Sequence, residues 1–199
     1  MPANQLLIFA KSPRQGECKT RLAKDIGDQA ALAAYVELAE KTLRTVATVA
    51  AKRMLLSTEV NPITHAWAAL ADAALGFQSA GDLGQRMCSA MNAAFEQDAE
   101  RVVLIGVDSP VLSQHYIEMA FRHLEHHDLV LGPVEDGGYV LIGLRRPMPQ
   151  LFTNIEWSTE RVLRQTLAAS QGASAVVLET LWDVDELADW TRYLEQVSD

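Results

Sequence analysis

The chain has 199 residues, 49% of them hydrophobic, which suits one large domain with its own core. A net charge of -9 disfavours nucleic acid and anionic membranes as partners, and no apolar run reaches the ~18 residues a membrane helix needs. Cys18 and Cys88 stand far apart without a CxxC or Cys/His cluster, and residues 1–10 carry no basic n-region; neither a disulfide framework nor a structural zinc site is expected, and the expected compartment is the reducing cytoplasm.

The first predicted strand, 5–10, is continuously apolar, as a strand covered on both faces should be. A polar segment follows, and five of the 17 Lys and Arg residues (Lys11, Arg14, Lys19, Arg21 and Lys24) fall in it, with Glu17 its one acid. A positive patch on an acidic protein, placed after the first strand, suits a small polyanion. Gly16 permits close approach of the backbone to phosphate. Gly-Glu-Cys-Lys-Thr at 16–20 lacks the glycines of a Walker A cradle, so a kinase P-loop is rejected.

Helix 28–50, strand 53–57, helix 63–73 and helix 83–95 come next, the last from the spacing of Leu83, Met87, Met91, Ala94 and Phe95. Strand 101–107 leads into Asp108-Ser109-Pro110, which puts Asp108 at the carboxyl edge of the sheet, where a hard cation such as Mg²⁺ is well held; a turn aspartate is the structural alternative. Helix 113–126 follows. His115, His123, His126 and His127 lie on or beside it, but the HExxH order of a zinc site is absent.

Strands 128–131 and 139–144 are too close together for a parallel crossover, so an antiparallel excursion is expected in a mixed, mostly parallel sheet. Between them Glu135-Asp136-Gly137-Gly138 reads as a tight turn whose glycines also admit a sugar or phosphate. Helix 158–170, strand 174–178 and helix 185–194 complete the chain. Asp28, Ser113, Ser158 and Asp185 stand at expected N-caps. Asp183 and Asp185 alternate in an extended segment, so both are able to face one metal; Asp185 serves equally well as a helix cap. No Gly-x-Ser-x-Gly elbow is present and Cys18 has no histidine partner, which leaves covalent catalysis unsupported.

Several segments resemble, in order and across nearly the whole chain, a bacterial family of glycosyltransferase-like proteins with the nucleotide-diphospho-sugar transferase (GT-A) fold. They are Ile8-Phe-Ala-Lys-Ser-Pro with Lys19-Thr-Arg-Leu, Gly81-Asp-Leu-Gly-Gln-Arg-Met, Gly106-Val-Asp-Ser-Pro, Gly132-Pro-Val-Glu-Asp-Gly-Gly-Tyr with Leu141-Ile-Gly, Trp157-Ser-Thr and Asp183-Val-Asp. The first and the Asp108 segments are also similar to phospholactate guanylyltransferases and related nucleotidyltransferases. The resemblance implies one α/β/α domain over 1–199 with a mixed, mostly parallel sheet. It also implies a transferase that uses Mg²⁺ or Mn²⁺, a nucleotide (a nucleotide-diphospho-sugar or a triphosphate) and a small-molecule acceptor.

By the same resemblance Lys11, Lys19 and Asp108 are the catalytic groups, and Lys11, Lys19 and Arg21, with Arg14 in the same loop, meet the phosphates. Asp108 binds the metal with Asp183 or Asp185. Gly81, Asp82, Gly84 and Arg86 contact base or ribose, while Gly137, Gly138, Trp157, Ser158 and Thr159 face the second substrate. Glycosyltransferases of this fold usually carry Asp-x-Asp where this chain has Val107-Asp108-Ser109, a single acid that looks more like a nucleotidyltransferase. The expectations are therefore glycosyl transfer first, nucleotidyl transfer with pyrophosphate release as the alternative, and a non-catalytic nucleotide or sugar-phosphate sensor third; whether the protein is a homodimer stays open. All of them require the cationic segment and Asp108 to share one cleft.

Overall fold

The computed structural model describes residues 3–198 and shows a seven-stranded sheet between two helical layers. Its strands are β1 (Asn4–Ala10), β2 (Lys52–Ser57), β3 (Ala74–Phe77), β4 (Arg101–Ile105), β5 (Leu129–Pro133), β6 (Tyr139–Leu144) and β7 (Ala175–Val177). They lie in the order β3-β2-β1-β4-β6-β5-β7. The central strands read as unbroken apolar runs because both faces are covered. In β1, Leu6, Ile8 and Ala10 face one layer while Leu7 and Phe9 face the other.

One layer is formed by α2 (Asp28–Val46), α3 (Pro62–Leu70) and α5 (Gln114–His123), which contribute Tyr35, Leu43, Trp67, Ile117 and Phe121 to the core. The other holds α4 (Leu83–Glu96), a 3₁₀ turn at Pro149–Phe152 and α6 (Val162–Ala169), through Met87, Met91, Leu151 and Leu163. Each fully buried Leu or Ile contributes about 1.5–3 kcal/mol. α1 (Thr20–Ile26) and α7 (Leu187–Ser198) stand beside α2, where Trp190 packs against two small clusters, one holding Leu38 and Tyr193 and the other Leu22.

The antiparallel excursion is present: β6 runs against both β4 and β5, while the remaining pairs are parallel. The carboxyl ends of β1 to β5 and β7 therefore share one edge with the 134–138 turn. After β7 the chain runs back along that edge. Leu178 and Leu181 donate to the carbonyls of Leu131 and Pro133, and Val184 donates to that of Asp108.

Several local expectations need correction. Helix 28–50 ends at Val46, and Asp28 is its first helical residue, Gly27 being the cap. Ser113 caps α5 as expected by accepting from Tyr116 N–H. Ser158 does not cap a helix: it sits at φ 64°, and α6 starts four residues later. Asp185 does not cap α7 either, because Asp189 reaches back to accept from the N–H groups of Asp185 and Glu186. The short elements α1, β3 and the 3₁₀ turn were not expected from the sequence.

Candidate functional site

A cleft of about 680 Å³ opens at the carboxyl edge of the sheet, within the size range of small-molecule sites. Lys11, Lys19 and Arg21 line it, as do Asp108, Asp136, Asp183 and Asp185. The cationic segment and Asp108 meet there: Lys19 Nζ lies 2.5 Å from Asp108 Oδ1.

Lys19 reaches this position through an unfavourable backbone. It adopts the left-handed conformation (φ 49°, ψ 47°) at the start of α1, which costs on the order of 1–3 kcal/mol for a non-glycine residue. The turn sends its side chain inward, to 6% exposure. Lys11 is held through its backbone: the Tyr35 hydroxyl accepts from Lys11 N–H at 2.8 Å and donates to Lys11 C=O at 2.9 Å. Burial pushes the Tyr35 hydroxyl well above its ordinary pKa, and the Asp108 charge adds to the shift, so it remains a neutral clamp. Arg21 Nη1 donates to Asp185 Oδ2 at 2.7 Å.

The carboxylates are brought together by one buried hydroxyl and one backbone bond. Ser109, 2% exposed, donates from Oγ to Trp182 C=O at 2.7 Å, and Val184 N–H bonds Asp108 C=O at 3.1 Å. Val184 and Trp182 turn into the core, which leaves Asp183 and Asp185 on the cleft wall. Asp108 is the one acid among residues 106–110, and its neighbours Val107 and Ser109 are buried. Asp183 is pushed up to about 6, first by burial and then by the charge of Asp136, with Asp108 and Asp185 adding and Lys19 opposing. Asp183 thus sits among neighbouring carboxylates whose charge is only partly offset by Lys19.

Among the described residues no group of three or more His, Cys, Asp or Glu side chains is placed to hold a metal ion by itself. Asp108 and Asp183 offer a few oxygens, which suits a hard cation that draws its remaining ligands from phosphate and water. His127 Nδ1 lies 3.0 Å from the His123 carbonyl oxygen, a contact within the helix end.

Not every expected residue faces the cleft. Arg14 turns away and pairs with Glu59 at 2.6 Å. Asp82 lines the wall, but its carboxylate accepts from Gln85 N–H in a capping box. Arg86 lines it too, with Nε donating to Gly81 C=O at 2.8 Å. Gly84 lies behind the wall: a Cβ there would stand 2.6 Å from the Trp157 indole, so the glycine lets that ring lie flat on α4. Trp157, Ser158 and Thr159 form a stretch of cleft lip together with Tyr139, whose ring meets Trp157 edge-on at 6.4 Å. Gly138 lines the cleft, whereas Gly137 (φ 87°) is pressed against the backbone of Glu160 and so anchors the 134–138 turn to this lip.

Sequence reasoning missed Gln78, a buried residue between the strand-end carbonyls of Ala10 and Leu56. A single glutamine outside any motif gives no signal of its own.

The family described as "Uncharacterized protein conserved in bacteria (DUF2064)" matches residues 39–159. Comparison with curated proteins found no match. Among solved structures, a protein from Desulfovibrio desulfuricans G20, provisionally described as a nucleotide-diphospho-sugar transferase, is 30% identical with a TM-score of 0.85, over 94% of this chain and 84% of that one. The 4-diphosphocytidyl-2C-methyl-D-erythritol synthase of Anaerococcus prevotii is 12% identical with a TM-score of 0.66, over 100% and 97%. Rv0371c of Mycobacterium tuberculosis H37Rv, in complex with manganese, is 16% identical with a TM-score of 0.58, over 97% and 98%. The fold is the α/β/α nucleotide-diphospho-sugar transferase fold with a mixed, mostly parallel sheet.

Proposed function

The chain belongs to the DUF2064 family, and from that premise we propose that it is a nucleotide-dependent transferase which holds a nucleotide's phosphates between its basic segment and Asp108. The observation that carries this reading is the meeting of Lys19 and Asp108 in a cleft at the carboxyl edge of the sheet. Oppositely charged groups at that point suit a polyphosphate and a cation together.

The leading reaction is glycosyl transfer from a nucleotide-diphospho-sugar, which agrees with the name of the 30% identical relative. An acceptor oxygen attacks the anomeric carbon, the carbon–oxygen bond to phosphate breaks, and the nucleoside diphosphate leaves with the electron pair. In this reading Lys19, Lys11 and Arg21, which line the cleft, neutralise the charge that grows on the departing phosphate. Asp108 and Asp183 are the candidate ligands of Mg²⁺ or Mn²⁺; such a cation, when bound, supplies further neutralisation of that charge. Trp157 and Tyr139 give the acceptor a rigid aromatic lip. No nucleophilic side chain is required, because positioning and charge neutralisation supply most of the acceleration.

A second reading, nucleotidyl transfer, is favoured by one observation. Gly106 and Pro110 stand two residues to either side of Asp108, so the loop after β4 offers a single acid instead of the Asp-x-Asp pair usual in glycosyltransferases of this fold. In that reaction an acceptor phosphate attacks the α-phosphorus and pyrophosphate leaves.

Incubating the protein with Mg²⁺ and panels of nucleotide sugars and nucleoside triphosphates separates the readings. Release of nucleoside diphosphate supports glycosyl transfer, and release of pyrophosphate supports nucleotidyl transfer. Binding without turnover indicates a sensor. Failure to bind any nucleotide contradicts all three.

A further inference from the structure

We propose that the second substrate enters this cleft by an apolar ring, and that its subsite takes an alcohol or phenol carried on that ring in preference to a sugar or other polyol. The inference rests on the reading of the cleft as a nucleotide site.

The cleft has two kinds of wall. Its charged groups stand on loops at the carboxyl edge of the sheet. Between α4 and the Trp157 lip it also reaches side chains of the core. Phe9, Met87, Leu104 and Ile142 line it and belong to the buried cluster on the α4 side, against which Tyr139 and Trp157 also pack. Three of these residues make a floor. Leu104 and Ile142 are direct partners across β4 and β6, and Phe9 lies two residues beyond Leu7, the partner of Leu104 on β1. All three therefore project from one face of neighbouring strands. Two strand spacings, about 10 Å, suffice to lie under one aromatic ring.

The two aromatic walls turn their polar atoms away from this slot. Buried Tyr and Trp usually keep a partner for the hydroxyl or the indole N–H, and either group could have served a polar substrate. Here the Tyr139 hydroxyl is sealed from solvent. A Cβ at Gly84 would stand 2.6 Å from Trp157 Nε1, so the N–H edge of the indole lies on α4. What the pair presents to the slot is ring carbon. A sugar placed here would bury hydroxyls with no free donor or acceptor among these six side chains, and the polar edge of a nucleobase meets the same objection. An apolar ring loses nothing by desolvation and gains contact with aliphatic and aromatic surface. Its hydroxyl need not enter the slot. Asp136 and Gly138 line the cleft on the turn that leads into Tyr139, so the slot opens beside a carboxylate, whose Oδ1 already accepts from Gly138 N–H at 2.8 Å.

Ligand-observed NMR titrations test the assignment, with benzyl alcohol and 2-naphthalenemethanol as ring probes and glycerol and glucose as polyol probes. They are run in Mg²⁺, with and without the tightest-binding of the four common nucleoside diphosphates. The ring probes should bind at least about tenfold more tightly than the polyols, and saturating nucleotide should leave that binding in place. Trp157→Ala should weaken the ring probes by about tenfold or more and Trp157→Phe by less than about threefold, while nucleotide affinity changes by less than about twofold in both.

Polyols that bind as well as the ring probes overturn the inference, as does ring binding that Trp157→Ala leaves unchanged. Displacement of the ring probes by nucleotide overturns it too, because the slot then belongs to the nucleotide. If Trp157→Ala fails to fold, the parent panel and its competition with nucleotide still decide. A protein that binds the ring probes but no nucleotide keeps the slot and loses the nucleotide reading; one that binds nucleotide but no ring probe does the reverse.

Discussion

Replacing Lys19 by Met separates cation binding from phosphate binding in opposite directions. Lys19 Nζ lies 2.5 Å from Asp108 Oδ1, so a cation that uses Asp108 must first displace this ammonium. Unit charges 4 Å apart interact by about 4 kcal/mol at an effective dielectric of 20, whereas exposed ion pairs are worth about 1 kcal/mol or less. Asp108 is 43% exposed, which places the pair near the lower figure. Freeing Asp108 is then expected to strengthen Mn²⁺ binding without nucleotide by several-fold, up to about tenfold. Nucleotide binding in the presence of metal should weaken by about tenfold or more, because the phosphates lose a nearly buried cation. Titration calorimetry with Mn²⁺ alone, then with nucleotide at saturating Mn²⁺, reads both changes. Should Mn²⁺ bind Lys19→Met and parent alike, or should nucleotide affinity stay the same, the ion pair does not occupy the ligand site.

Arg21→Ala should weaken nucleotide binding less than Lys19→Met, by a few-fold, since the Arg21–Asp185 pair is half exposed; the loss should shrink in titrations at high salt. Gly84→Ala puts a methyl group where the Trp157 ring now lies and should displace the acceptor lip, which raises the acceptor KM while nucleotide affinity changes little; unchanged KM would refute this. Asp128 accepts from Arg146 and from Ser174 N–H, and these bonds lower its carboxyl pKa, Arg146 first. Its contribution is therefore present above the unfolded value near 4 and is lost as pH falls through the folded one. Asp128→Asn should cost about 1 kcal/mol or less at pH 7, and denaturant titrations of variant and parent should converge as the pH falls below the ordinary carboxylate range.

The residues that built the sheet were those whose burial fixes their pattern. Leu6 to Ala10 and Val102 to Ile105 face apolar layers on both sides and so could be read as central strands. β3 was hidden because it is a four-residue edge strand with a 63%-exposed Phe77, which gives neither an unbroken nor an alternating signal. α1 was read as loop because Leu22 is its one buried residue. At the site, charge clustering located the basic segment but carried no direction, so Arg14, which turns out to Glu59, looked equivalent to Lys19, which turns in to Asp108. Cap preference misplaced Asp185 for a related reason: Asp189 from within the helix serves the same N–H groups, and Asp185 is left to pair with Arg21. Gln78 is recognisable as a brace of the sheet edge only when the ends of β1 and β2 are seen to converge on its amide.

Calorimetric titration of Asp108→Ala with nucleotide, with and without Mg²⁺, tests the shared cation and phosphate site most directly. The carboxylate lies on the cleft wall and not in the core, so the variant should melt near the parent temperature. The account predicts that it no longer gains nucleotide affinity from Mg²⁺. A variant that folds and still shows the parent's full Mg²⁺-dependent gain would contradict it.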